Sequence, residues 1–222
     1  MIQRFLLAAL TALALVSTAS PASAQQKRAA KPATTPAPAT SENYAQRFAT
    51  LCAACHGADG RSVMPGTPML AGQHSFYAIT QLFLYREGRR SNEAMTAVAK
   101  TLSDNDLRGF ADFIATLPPL APTAPATQSD AARMCKGQAL ALQHKCVFCH
   151  GADFAGGQQV PRLNGQLHDY LQMTLRGFRS GTRVGYSSAM PEAVGQIANE
   201  DLDTLAYYIA RFTGLPAPST CK

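Results

Sequence analysis

The chain has no hydrophobic stretch long enough to cross a bilayer, which takes about 20 residues in a helix; the apolar run from Phe5 to Val16 falls short of that. No membrane span is expected in the mature chain, leaving peripheral association open. Period-two alternation of apolar and polar residues is also missing, and with it the signature of half-buried strands. That leaves an all-α chain. Basic charge is scarce where a nucleic-acid surface would need it: the formal net charge is +6, yet Tyr44 to Leu117 holds seven basic residues against six acidic, and Ala131 to Lys222 nine against six. Much of the surplus precedes Tyr44, in the opening segment and in Lys27, Arg28 and Lys31. No nucleic-acid partner is expected.

Two stretches have too few large apolar residues to build a core. Gln25 to Asn43 is mostly Ala, Pro, Thr and Lys, and Pro118 to Thr127 is Pro-rich; such compositions give a tether and a stiff, extended linker. The chain opens on a short basic start, the apolar run and Ala22-Ser23-Ala24, the order of a secretory signal with its cleavage site. The expected organisation is a signal peptide at 1–24, a Pro/Ala-rich leader at 25–43, a first domain at 44–117, a linker at 118–130 and a second domain at 131–222. Export implies the periplasm, a compartment that suits a chain with six cysteines.

What the sequence does hold, twice, is a C-x-x-C-H run: Cys52-Ala53-Ala54-Cys55-His56 and Cys146-Val147-Phe148-Cys149-His150. Two thiols one helical turn apart can add to the vinyl groups of a haem, and the adjoining His then reaches the iron. A four-cysteine zinc site would need its two pairs about 15 to 20 residues apart, whereas Cys146 lies about ninety residues beyond Cys55; a redox dithiol also uses a C-x-x-C pair, but here a His directly follows both pairs. Cys52, Cys55, Cys146 and Cys149 are thus read as covalent haem attachment points, His56 and His150 as axial iron ligands, and the cofactors as two haem c.

The segments around these runs are copies. Pro68 and Pro161, Gly72 and Gly165, Gln73 and Gln166, Tyr77 and Tyr170, Arg86 and Arg179 pair at an offset of 93; Met95 and Met190, Asp106 and Asp201 pair at 95. A repeat of this length means two domains of one fold. Each ends in an amphipathic helix, with Leu107, Phe110, Ile114 and Leu117 matched by Leu202, Leu205, Ile209 and Phe212. Ser103 and Asn199 suit the N-caps of those helices. Middle helices are expected from about Ser75 to Glu87 and from about His168 to Ser180.

Each iron needs a sixth ligand. Met64, Met69, Met95 and His74 compete in the first domain and Met173, Met190 and His168 in the second, but only Met95 and Met190 share a repeat position. They are the expected distal ligands, with His74 and His168 as surface or packing residues. A thioether raises the reduction potential, which suits an electron carrier. The carbonyls of Pro68 and Pro161 are candidate acceptors for the second ring nitrogen of each His. Arg86 and Arg179 are candidate partners of the haem propionates, and Tyr77 and Tyr170 are packing residues or pocket hydrogen-bonders.

This series of paired C-x-x-C-H-G runs, each followed by P-x-L-x-G-Q, a Tyr, an Arg-bearing helix end, a Met and an acidic final helix, resembles the two-domain dihaem cytochromes c of the cytochrome c4 family. The resemblance implies two tandem class I cytochrome c domains with facing haems. It also implies electron transfer to redox partners such as a terminal oxidase or reductase. The alternative is an electron-accepting subunit of a periplasmic dehydrogenase, of the flavin-containing sulfide or alcohol type. A peroxidase would need one open iron. Cys135 and Cys221 are left after haem attachment, and in the class I fold the helices that carry or precede them pack together, so a Cys135–Cys221 disulfide is expected; a bridge from Cys221 to a second molecule is the alternative.

Overall fold

The computed structural model describes residues 41–120, 129–183, 185, 187–214 and 221. The expected signal peptide, most of the leader and linker residues 121–128 lie outside them.

The described residues form α1 (Ser41–Leu51), α2 (Ala53–His56), α3 (Ser75–Arg86), α4 (Glu93–Ala99) and α5 (Asp104–Thr116), then α6 (Ala131–Gln143), α7 (Cys146–His150), α8 (His168–Ser180), α9 (Ala189–Val194) and α10 (Asn199–Ala210). No strand occurs among them; one isolated bridge joins Gly157 to Val160. The first helix begins at Ser41, ahead of the expected boundary at residue 44. The middle helices run as the periodicity predicts, with Gly181 capping α8 in the left-handed region.

Helices α5 and α10 bury the faces read from the sequence: Leu107, Phe110 and Ile114 in one core, Leu202, Leu205 and Ile209 in the other. Ser103 caps α5 in a capping box with Asp106. Asn199 does not cap α10. The N-cap is Ala198, because the Asn199 side chain accepts a hydrogen bond from Arg179 instead.

The first and last helices of each domain cross at a glycine, with large and small partners exchanged between domains. A Cβ on Gly109 of α5 would lie 2.0 Å from the Tyr44 ring of α1, and a Cβ on Gly137 of α6 would lie 2.3 Å from Tyr208 Cβ on α10. Neither crossing has room for a methyl group. Gly109→Ala is expected to cost about 1–3 kcal/mol through overpacking, read as a lower urea midpoint. A midpoint unchanged from the parent would show that the helices shift apart freely.

Cys135 on α6 and Cys221 are joined by a disulfide with Cα atoms 5.1 Å apart, which staples the tail to the helix that opens the second domain. Cys135→Ser with Cys221→Ser is expected to lower stability by about 2–4 kcal/mol in the chain-entropy account. Urea unfolding of the oxidised parent beside the variant measures it, and equal stabilities would mean that the bridge restrains nothing beyond what the fold already holds.

Candidate haem sites and the surface between them

Each C-x-x-C-H run folds as a short helix that ends on its His. The Cys52 carbonyl accepts from the backbone N–H of Cys55 and of His56, so the two cysteines of the first run are one turn apart. Cys52, Cys55, Cys146 and Cys149 are in no disulfide among the described residues. Burial pushes the Cys52 thiol up to about 11 and also raises that of Cys146.

His56 and His150 are 5% and 6% exposed. His56 Nδ1 lies 2.9 Å from the Pro68 carbonyl oxygen and His150 Nδ1 lies 3.1 Å from that of Pro161. A carbonyl only accepts, so Nδ1 carries the hydrogen and Nε2 presents a lone pair. Burial lowers both histidine pKa values, and the Pro hydrogen bonds offset this only in part. Two cysteines on one helical turn, beside a buried His with its tautomer fixed, fit covalently attached haem.

Met95 and Met190 sit on α4 and α9, short helices that sequence reading did not anticipate. A helix of fewer than two turns has too few residues for its period to register. The Asn92 side chain caps α4 by accepting from Met95 N–H, and Met190 packs against the second core. Their rivals are placed otherwise: Met64 and Met173 are exposed, and Met69 has its backbone tied to the second domain. His74 donates from Nε2 to the Ala155 carbonyl at 2.8 Å, so it belongs to the interdomain surface.

Arg86 and Arg179, the expected propionate partners, have protein partners among the described residues. Arg86 bonds Asp104 and Glu87 and Arg179 bonds Asn199, because both lie at helix ends beside the polar start of the next long helix. The cations at the domain junction are Arg90, buried, and Arg183, half-buried, which also register at 93; their spacing from the glycine stops carried the signal. Arg90 is 8% exposed, lies over the Tyr85 ring and donates to Tyr170 of the second domain at 2.9 Å. Arg183 donates to Tyr170 at 3.2 Å and, across the interface, to Tyr77 at 3.3 Å. Among the described residues, neither guanidinium pairs with a carboxylate. Burial would raise the Tyr170 phenol, but the two guanidiniums outweigh it and pull it down to about 7. Two guanidiniums and the Tyr77 and Tyr170 hydroxyls thus meet where the domains join.

The linker start closes over the same junction. Pro119 lies so close to Gly72 that a Cβ there would be 2.6 Å away, and Leu120 lies against Gly165. Both glycines also have positive φ, so the two repeated glycines admit no side chain.

Tandem helical domains of this kind, each with a C-x-x-C-H helix and a buried, Pro-tethered His, define a c-type cytochrome with two haem sites. The model of the cytochrome c family matches residues 41–118 and again 135–212. Cytochrome c4 of Thiocapsa roseopersicina is 32% identical over 170 residues, covering 72% of this chain and 85% of that protein. The thiosulfate dehydrogenase electron acceptor of Stutzerimonas stutzeri is 34% identical over 172 residues, covering 73% and 79%. The reduced cytochrome c4 structure from Pseudomonas stutzeri superposes with a TM-score of 0.70 at 29% identity, covering 78% of this chain and 98% of that one. The chain belongs to the cytochrome c4 family of two-domain cytochromes c, with two haem c groups.

Proposed function

We propose that the chain is a periplasmic electron carrier that passes single electrons between redox proteins of a respiratory chain. Bound haem supplies the one-electron exchange at iron; the protein supplies attachment, ligands and charge. Cys52 with Cys55, and Cys146 with Cys149, would form the thioether bonds. His56 and His150 would bind iron through Nε2 while Pro68 and Pro161 hold Nδ1–H. Met95 and Met190 would close the sixth positions, which excludes peroxide and oxygen from the metal. Arg90 and Arg183 would neutralise propionates where the domains meet. The observation that carries this reading is the pair of buried, tautomer-fixed histidines in two domains joined by a hydrogen-bonded surface. No described helix is long and apolar enough to cross a membrane, as a diffusing carrier requires.

The test is stopped-flow oxidation of the reduced protein by membranes containing a terminal oxidase. Both haems should reoxidise at a rate that saturates with neither peroxide nor oxygen alone. A protein that reacts with peroxide faster than with oxidase membranes is not a carrier.

A second reading rests on the relative named as the electron acceptor of thiosulfate dehydrogenase. In it the donor is a periplasmic dehydrogenase. Rapid reduction by thiosulfate dehydrogenase with thiosulfate, and slow reduction by other donors, would select this reading.

A further inference from the structure

Two of the interdomain contacts are made by a glutamine, one from each domain. Gln166 of the second domain is 8% exposed. Its Oε1 accepts from Met69 N–H at 2.9 Å, and its Nε2 donates to the Met69 carbonyl at 3.0 Å. Gln73, equally buried, does the same in reverse: Oε1 accepts from Arg162 N–H at 2.9 Å and Nε2 donates to the Arg162 carbonyl at 3.2 Å. Each side chain clamps one residue of the opposite domain. The amide orientation is fixed, since an N–H needs an acceptor and a carbonyl a donor.

The clamped residues follow Pro68 and Pro161. The N–H of Met69 and the carbonyl of Pro68 belong to one peptide group, and that carbonyl accepts the His56 Nδ1–H. Likewise the peptide joining Pro161 to Arg162 bonds His150 at its oxygen and Gln73 at its nitrogen. Hydrogen bonds on the two ends of a peptide polarise it cooperatively, strengthening each by about 10–30% in condensed-phase estimates. A stronger acceptor at Pro68 draws the Nδ1 proton further and leaves Nε2 a better donor.

We propose that each domain's glutamine acts in trans as a positioning residue for the other domain's histidine, so that docking of the two domains sets the electron-donating strength of both Nε2 atoms. The proposal rests on His56 and His150 being the iron ligands. A more basic imidazole favours ferric iron. Gln166 therefore holds down the potential of the first domain's haem, and Gln73 that of the second.

The test uses the full holoprotein in a redox titration followed by NMR of the haem methyl groups, which assigns each step to its haem. Gln166→Leu should raise the reduction constant of the first domain's haem about threefold, which at 59 mV per tenfold is about 30 mV. The second domain's haem should move by less than half as much. Gln73→Leu should give the mirror pattern. His74→Ala removes a different interdomain bond and should shift neither haem selectively. Gln166→Glu is isosteric and guards against misfolding of the leucine variant; its charged acceptor should lower the first haem more than the second. Equal shifts at both haems, larger shifts in the variant's own domain, or no shift would overturn the proposal. An unmodified protein without a low-spin His/Met spectrum would instead overturn the ligand assignment beneath it.

Discussion

Met95→His is expected to lower the potential of the first domain's haem by a sizeable part of the about 0.8 V range that axial ligation spans, leaving the second haem close to its parent value. A thioether stabilises ferrous iron and an imidazole stabilises ferric iron, so exchanging one for the other moves the equilibrium toward the oxidised form. The site tolerates the exchange structurally. Met95 stands in the first turn of α4, where its N–H is held by the Asn92 cap, and that bond involves only backbone at residue 95. Met190→His should do the same to the second haem. The far-red ferric band typical of sulfur on haem iron should fall by roughly half in either single variant and vanish in the double. A band that survives both substitutions would reassign the sixth ligand to another of the methionines.

The second large effect is expected at Arg90. If its guanidinium neutralises a propionate, Arg90→Gln leaves a buried carboxylate unpaired, a loss of about 3–5 kcal/mol. It also removes the bond to Tyr170 and the contact over Tyr85. Loss of a positive charge near the haems stabilises ferric iron, so both potentials should fall. Urea unfolding of the oxidised holoprotein gives the first quantity and redox titration the second. A cost near 1 kcal/mol with unmoved potentials would mean that the cluster holds no propionate and serves packing alone. Arg90→Gln and Arg183→Gln share Tyr170 as a partner, so their effects should not add.

The pairing of Arg90 and Arg183 with tyrosines shows where sequence reading stopped. Arg86 and Arg179 register between repeats as well as Arg90 and Arg183 do, and register alone does not say which arginine faces a domain junction. The helix ends decided it: Arg86 falls within reach of Asp104 on α5, and Arg90, past the turn that follows α3, is carried under the second domain. His74 is a similar case. It has no counterpart in the repeat, which marked it as a surface or packing residue, and only the fold shows that it packs against Ala155 of the second domain.

Sequence alone determined the attachment chemistry and the doubling of the domain, because both are local: C-x-x-C-H places its thiols and imidazole within two helical turns, and a repeat is visible by alignment of the chain with itself. The apolar faces of α5 and α10 were legible for the same reason, through a 3.6-residue period sustained over three turns. Pro68 and Pro161 as hydrogen-bond partners of the histidines were inferred from their spacing, and the fold brings those carbonyls to Nδ1. Only the tertiary structure decided which charges are buried and what links the two sites. Gln73 and Gln166 each bond residues about 90 positions away, and no periodicity or motif encodes a hydrogen bond between domains. Those contacts depend on how two closed cores dock, and docking is fixed by shape and by the pairing of buried polar groups across the whole surface.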